Sequence, residues 1–174
     1  MSKIFSEDKD WVLLIGYVGL IYSTLQFMPK INYFFASLLG RYFGLVSSTM
    51  LIIAIFLTFI VIHKHKPAVK SPALFYAARA FIFALYLTLL LFALPVVSEK
   101  MHLLEYGFLS YLALRAVKNF RSNYKRYILV VLIVIVVGSC DELIQKFTPG
   151  RYCELRDVIL NIVSGILGLS ILSL

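Results

Sequence analysis

Three short blocks of the sequence hold most of the side chains able to move a proton or grip a charged group. The first reads Glu99-Lys100-Met101-His102-Leu103-Leu104-Glu105-Tyr106-Gly107. On a helix beginning near Ser98, Glu99, His102 and Tyr106 share one face at i, i+3 and i+7, and Glu105 lies beside His102. The second block, Asp141-Glu142-Leu143-Ile144-Gln145, puts Gln145 one turn from both acids. The third runs from Arg151 through Arg156 and Asp157 to Asn161. Carboxylates paired in a low dielectric do not both ionise freely, which would supply one acid and one base, with His102 as a titratable partner. The candidate proton-transfer residues are therefore Glu99, His102, Glu105, Asp141, Glu142 and Gln145. Tyr106, Arg151, Arg156, Asp157 and Asn161 are candidates for holding a substrate, the two arginines for a phosphate or carboxylate. His102 and Glu105 with Asp141 or Glu142 would also offer nitrogen and oxygen ligands to a divalent metal. The sequence has no His-Glu-x-x-His, so the zinc-protease pattern is not supported.

Each candidate has a structural alternative. Asp157 suits the N-terminal end of a helix, where a carboxylate caps backbone N–H groups and meets the positive end of the dipole. Asn161 suits a hydrogen bond between helices. Arg151 and Arg156 suit interfacial anchoring or ion pairing. No such demand places acids at Glu105, Asp141 and Glu142, and ionisable groups inside a membrane span mark functional sites by default. From Asp157 through Asn161 to Gly165 and Gly168 the residues turn from polar to small at helical spacing, a stripe suited to close packing on another helix.

The elements carrying these blocks follow from composition. Hydrophobic residues make up 61% of the 174 residues and charged residues 15%, and the mean hydropathy is +0.89. Ordinary soluble domains are about 45–50% apolar and about 25% charged, and a chain of this size keeps too much surface to hide the excess. Lipid must be part of the solvent. The net charge of +8 would suggest nucleic acid in a soluble protein, but the basic residues cluster between apolar runs and no nucleic-acid motif is present.

A spanning helix needs about 20 mainly apolar residues. Six runs qualify approximately: Trp11–Met28, Gly44–Ile62, Ala73–Val97, His102–Val117, Tyr127–Phe147 and Asp157–Leu174. The aromatic segment 31–43 reads as interfacial or re-entrant. The expected fold is an all-α, polytopic bundle of about six transmembrane helices. The aromatic residues of the first three runs read as lipid-facing or packing residues. The start, Met1 to Asp10, is polar and no cleavable signal is apparent, so the first run is expected to stay as a helix. No disulfide is expected between Cys140, in an apolar run, and Cys153, in a polar loop.

If all six runs span, ten of the basic residues lie on one side and six on the other, which places both termini in the cytoplasm. The six acids outside the N-terminal segment, Glu99, Glu105, Asp141, Glu142, Glu154 and Asp157, then fall together at the outer face. That convergence predicts one cavity holding Glu105, His102, Asp141, Glu142 and Gln145, with Arg151, Asp157 and Asn161 around its rim.

The blocks Glu99-x-x-His102-x-x-Glu105-Tyr106-Gly107 and Asp141-Glu142-x-x-Gln145-x-Phe147-x-Pro149-Gly150-Arg151, followed by Arg156-Asp157-Val158-x-x-Asn161 and Gly165, resemble the VanZ-like family of small bacterial polytopic membrane proteins. The resemblance covers roughly residues 95–170 and includes one departure, Glu99 where the family often has Asp. It divides the chain into 1–94, three N-terminal transmembrane helices with the interfacial segment near 31–43, and 95–174, a VanZ-like core of three. The family's namesake is associated with resistance to the glycopeptide antibiotic teicoplanin, so the resemblance implies the bacterial cytoplasmic membrane as location and leaves the mechanism open, with an envelope lipid or glycan as the expected ligand. The residues themselves leave open an enzyme acting on such a component, a non-catalytic envelope protein that binds it or a partner protein, and a small transporter. Visible inverted repeats would favour the transporter, and the sequence has none.

Overall fold

The computed structural model describes residues 2–63, 71–94, 97–148 and 153–173, and all regular structure among them is helical. Seven α-helices follow in chain order: α1 (Ser2–Thr24), α2 (Met28–Leu39), α3 (Phe43–His63), α4 (Pro72–Thr88), α5 (Val97–Ala116), α6 (Asn123–Gln145) and α7 (Leu155–Ser173). A 3₁₀ turn, Gly40–Tyr42, joins α2 to α3, and a π turn, Leu89–Ala93, extends α4. Each of the six expected runs holds one long helix, but the first ends at Thr24 rather than Met28 and the third before Leu94 rather than at Val97. The expected interfacial segment is α2, which buries no residue and exposes Tyr33, Phe34, Phe35 and Leu38.

The boundaries have local causes. Pro72 opens α4, where its missing N–H is no loss and its fixed φ suits a first turn. Leu94, the residue before Pro95, is already extended, as a residue preceding proline must be, and the helix stops there. The Ser122 hydroxyl caps α6 by accepting from the Lys125 N–H at 3.5 Å.

Among the described residues, four segments are long and apolar enough to cross a membrane: Met28–Ile60, Pro72–Phe92, Asn123–Gln145 and Leu155–Leu172. α1 and α5 fall outside this set, and both carry charge: Lys3, Glu7, Asp8, Lys9 and Asp10 on α1, and Glu99, Lys100, Glu105 and Arg115 on α5. Packing makes that composition tolerable. α5 is the central helix, in contact with α7, α1, α6 and α3. It separates two apolar clusters, one with Leu14, Val130 and Val134 from α1 and α6, the other with Leu51, Tyr86 and Leu160 from α3, α4 and α7. A helix surrounded by protein can hold polar groups that a lipid-facing helix cannot.

The α5–α7 contact is close enough to require glycine on α7. A Cβ at Gly168 would lie 2.6 Å from the Gly107 Cα and 2.9 Å from its carbonyl oxygen. A Cβ at Gly165 would meet Val134 Cγ1 of α6 at 2.5 Å, and the Ser110 hydroxyl of α5 donates to the Gly165 carbonyl at 2.7 Å. The small-residue stripe read from the sequence therefore packs against helices, as expected.

Charged pairs fasten the two ends of the bundle. At one end the buried Asp10 of α1 accepts from Arg115 at 2.6 Å and from Lys118 at 2.5 Å, tying α1 to the far end of α5. At the other end the two oxygens of Glu99 accept from the Arg156 guanidinium at 2.8 and 3.3 Å, joining the first turns of α5 and α7. Lys100 donates to the Ser48 hydroxyl of α3 at 2.8 Å, also at that end. Cys140 and Cys153 are both free thiols.

Candidate functional site

The last turns of α6 carry Asp141, Glu142 and Gln145, all turned into the protein and fully or almost fully buried. Helix energetics do not call for this placement, since acids near a helix C-terminus face the negative end of its dipole. The three side chains form one network. Tyr106 of α5 donates its phenol proton to Asp141 Oδ2 at 2.8 Å. Gln145 Nε2 donates to Glu142 Oε1 at 3.1 Å and to Asp141 Oδ1 at 3.4 Å. The backbone N–H of Glu154, just before α7, reaches Glu142 Oε2 at 3.3 Å. α5, α6 and the entry to α7 thus meet on two carboxylates.

One turn earlier on α5, His102 Nδ1 lies 3.5 Å from Glu105 Oε2. His102 is buried, whereas the Glu105 side chain is 26% exposed. The pair lines a small cavity of about 30 Å³ with Thr24 at the end of α1, Leu25 just after it, Met28 and Asn32 of α2, and Met101. That volume accommodates about one water molecule. The His102 and Tyr106 rings have centroids 6.0 Å apart, so the cavity and the carboxylate network adjoin.

The arrangement differs from the single cavity expected of the sequence. Asp141, Glu142 and Gln145 are buried in one network, whereas His102 and Glu105 line the small cavity beside it. The reason is Tyr106, which is wholly buried and whose ring and hydroxyl fill the gap between α5 and α6. Glu99 stands apart from both groups, with its two oxygens taken by Arg156. Asn161 was expected at the rim and is instead 0% exposed in the interior. A Cβ at Gly138 of α6 would be 3.0 Å from the Asn161 Cβ and 3.4 Å from Tyr106 Cε1, so the glycine makes room for both side chains. Neither the nitrogen nor the oxygen of the Asn161 amide has a hydrogen-bond partner, and Oδ1 of Asp157, one turn earlier on α7, is likewise buried and unpartnered. Arg151 lies outside the described residues. Among the described residues no three His, Cys, Asp or Glu side chains are grouped to hold a metal ion, so the His102, Glu105 and Asp141 or Glu142 set is not assembled as a metal centre.

Three tyrosines read from the sequence as lipid-facing or packing residues do pack in or against the apolar clusters, and each also makes a hydrogen bond between helices. Tyr17 donates to the Glu105 carbonyl at 3.2 Å, Tyr22 to the Val137 carbonyl at 3.1 Å, and Tyr86 to the Ser164 carbonyl at 3.1 Å. Each ties a neighbouring helix to the backbone of one that builds the site. A phenol inside an apolar run needs a partner when buried, and that requirement was the available signal. Asn32 was missed because it lies in a segment whose aromatic residues dominate its reading.

The family model described as VanZ/LLP1 matches residues 45–174. The chain belongs to the VanZ/LLP1 family. The match includes every helix that contributes to the carboxylate network and begins at Leu45, well before the region on which the resemblance was first read. It leaves out α1 and α2, which supply Tyr17, Tyr22 and Asn32 to the surroundings of the candidate site. Neither a curated protein nor a solved structure matches the chain.

Proposed function

We propose that this VanZ/LLP1 protein crosses the bacterial cytoplasmic membrane six times, with both termini in the cytoplasm, and binds the polar part of an envelope lipid or cell-wall precursor at its outer face. The orientation rests on the excess of Lys and Arg in the segments that flank the Asp10 end. The binding reading is carried by one observation: the wholly buried Asn161 amide, beside the Tyr106–Asp141 pair, has neither its donor nor its acceptor satisfied. An unsatisfied buried amide costs about 1–3 kcal/mol, and such groups call for a specific role. A hydroxyl-bearing or amide-bearing ligand would supply both a donor and an acceptor. Glu105, partly exposed at the cavity, would be the first group such a ligand meets.

A second reading, acid–base catalysis on the same component, is favoured by the His102–Glu105 contact at 3.5 Å. A histidine so placed could take a proton while the carboxylate orients it and stabilises the charge. The two readings share a first test. Glu142→Gln and His102→Ala are expected to abolish protection in a glycopeptide-susceptibility or envelope-stress assay while leaving expression and membrane insertion intact. Full protection by both variants would remove this site from the function. A His102→Ala protein that still retains the envelope component on purification but no longer protects would favour catalysis over binding alone.

A further inference from the structure

α1 and α6 leave an apolar groove of about 400 Å³ between them, lined on α1 by Trp11, Ile15 and Val18 and on α6 by Leu129, Leu132 and Val136, among others. Its volume lies in the range of about 300–1,000 Å³ common for small-molecule sites. The groove belongs to neither the carboxylate network nor the His102 cavity.

The chemistry of one end distinguishes it from a generic lipid-facing furrow. Leu129, Ile133 and Val136 continue, at helical spacing, a stripe that begins at Arg126. The Arg126 Nη1 donates to Asn123 Oδ1 at 3.3 Å, but its Nε is buried without a partner. Lys118, Arg121 and Lys125 lie close by in sequence, and no acid occurs between Glu105 and Asp141. Trp11, which opens the groove on α1 at the same end, is the residue type that settles at the level of lipid head groups. Hydrocarbon walls therefore lead to a guanidinium with a donor to spare, and a guanidinium fork suits phosphate oxygens.

We propose that this groove binds an anionic phospholipid, one acyl chain lying between α1 and α6 and the phosphate held by Arg126. The occupant is anionic because Arg121, Lys125 and Arg126 meet no acid on α6, while Asp10 of α1 is already taken by Arg115 and Lys118. The purified full-length protein in detergent provides the test, by thermal unfolding with added phosphatidylglycerol or phosphatidylcholine of identical chains. Native mass spectrometry would count the phospholipid retained. Phosphatidylglycerol is expected to raise the unfolding temperature and to be retained at one molecule per chain, with a clearly smaller shift from phosphatidylcholine. Arg126→Gln should reduce the phosphatidylglycerol shift to the phosphatidylcholine level. Val136→Trp, at a position 58% exposed and so able to fill the groove without entering the core, should remove both the shift and the retained lipid. Equal shifts from the two lipids, no shift from either, or a full phosphatidylglycerol shift in Arg126→Gln would each overturn the proposal.

Discussion

Both ends of this bundle bury a carboxylate, but they treat it differently. At the α1 end, Asp10 is gripped by Arg115 and Lys118, two cations whose side chains remain 45% and 38% exposed. At the α6 end, Asp141 and Glu142 accept from a phenol, an amide and a backbone N–H. Beside them the Asn161 amide is left with nothing. The first arrangement is a fastening: opposite charges meet and satisfy each other. The second holds polar groups that stability alone does not ask for, the feature on which the proposed binding role rests.

Asn161→Leu gives the sharpest test of that contrast. It replaces an unsatisfied amide with an apolar group of similar size, so the thermal stability in detergent should stay level or rise, by up to about 1–3 kcal/mol. Envelope protection should be lost completely. A variant that loses stability and keeps protection would make Asn161 part of a joint as well.

Gly168→Leu should cost stability by forcing α5 and α7 apart. The contact it violates is with the Gly107 backbone, which cannot rotate away. Overpacking of this kind costs about 1–3 kcal/mol, and a backbone neighbour puts the change at the upper end. Unfolding followed by circular dichroism would report it. A variant as stable as the parent would mean that α5 and α7 can separate freely.

The joint itself is tested by replacing Arg115 and Lys118 together with alanine. Asp10 is then left buried without its cations. The expected loss is about 1–3 kcal/mol, below the about 3–5 kcal/mol of a fully buried pair, because both cations are already partly in water. Envelope protection per folded molecule should be unchanged, and a selective loss of function would join the two ends into one mechanism.

The smallest effect is one of pH. The hydrogen bond from Lys118, against an opposing desolvation, holds the Asp10 carboxyl below its ordinary value. A depressed carboxyl contributes stability that is fully present above its unfolded value of about 3.9 and lost as pH falls through the folded value. The stability advantage of the parent over Asp10→Asn should therefore be constant near neutrality and shrink below about pH 4. An advantage that persists to lower pH would mean that the ion pair is not its source.

Much of the molecule was legible in one dimension. Apolar runs of sufficient length, set apart by Pro72 and by the basic stretch Lys118–Arg126, marked the long helices. The order of the three blocks marked which helices would carry the site. The spacing of Asp141, Glu142 and Gln145 marked them as neighbours, because residues three and four apart share a helix face whatever surrounds them. Gly165 and Gly168 announced a close helix contact for the same reason.

Periodicity says which residues share a face and is silent on what the face meets. That Tyr106 closes the gap to Asp141 depends on the rotation of α5 about its axis, and that rotation is set by how Gly107 nests against Gly168. Asn161 lies in the interior because Gly138 opposite lacks a side chain, a pairing of residues far apart in sequence. Asp10 finds Arg115 and Lys118 only once α1 lies along α5. The amino-acid sequence determined the helices and their polar faces, through local geometry and transfer energy. Packing between helices determined which polar groups are satisfied and which are left open, because that depends on distances no single helix contains.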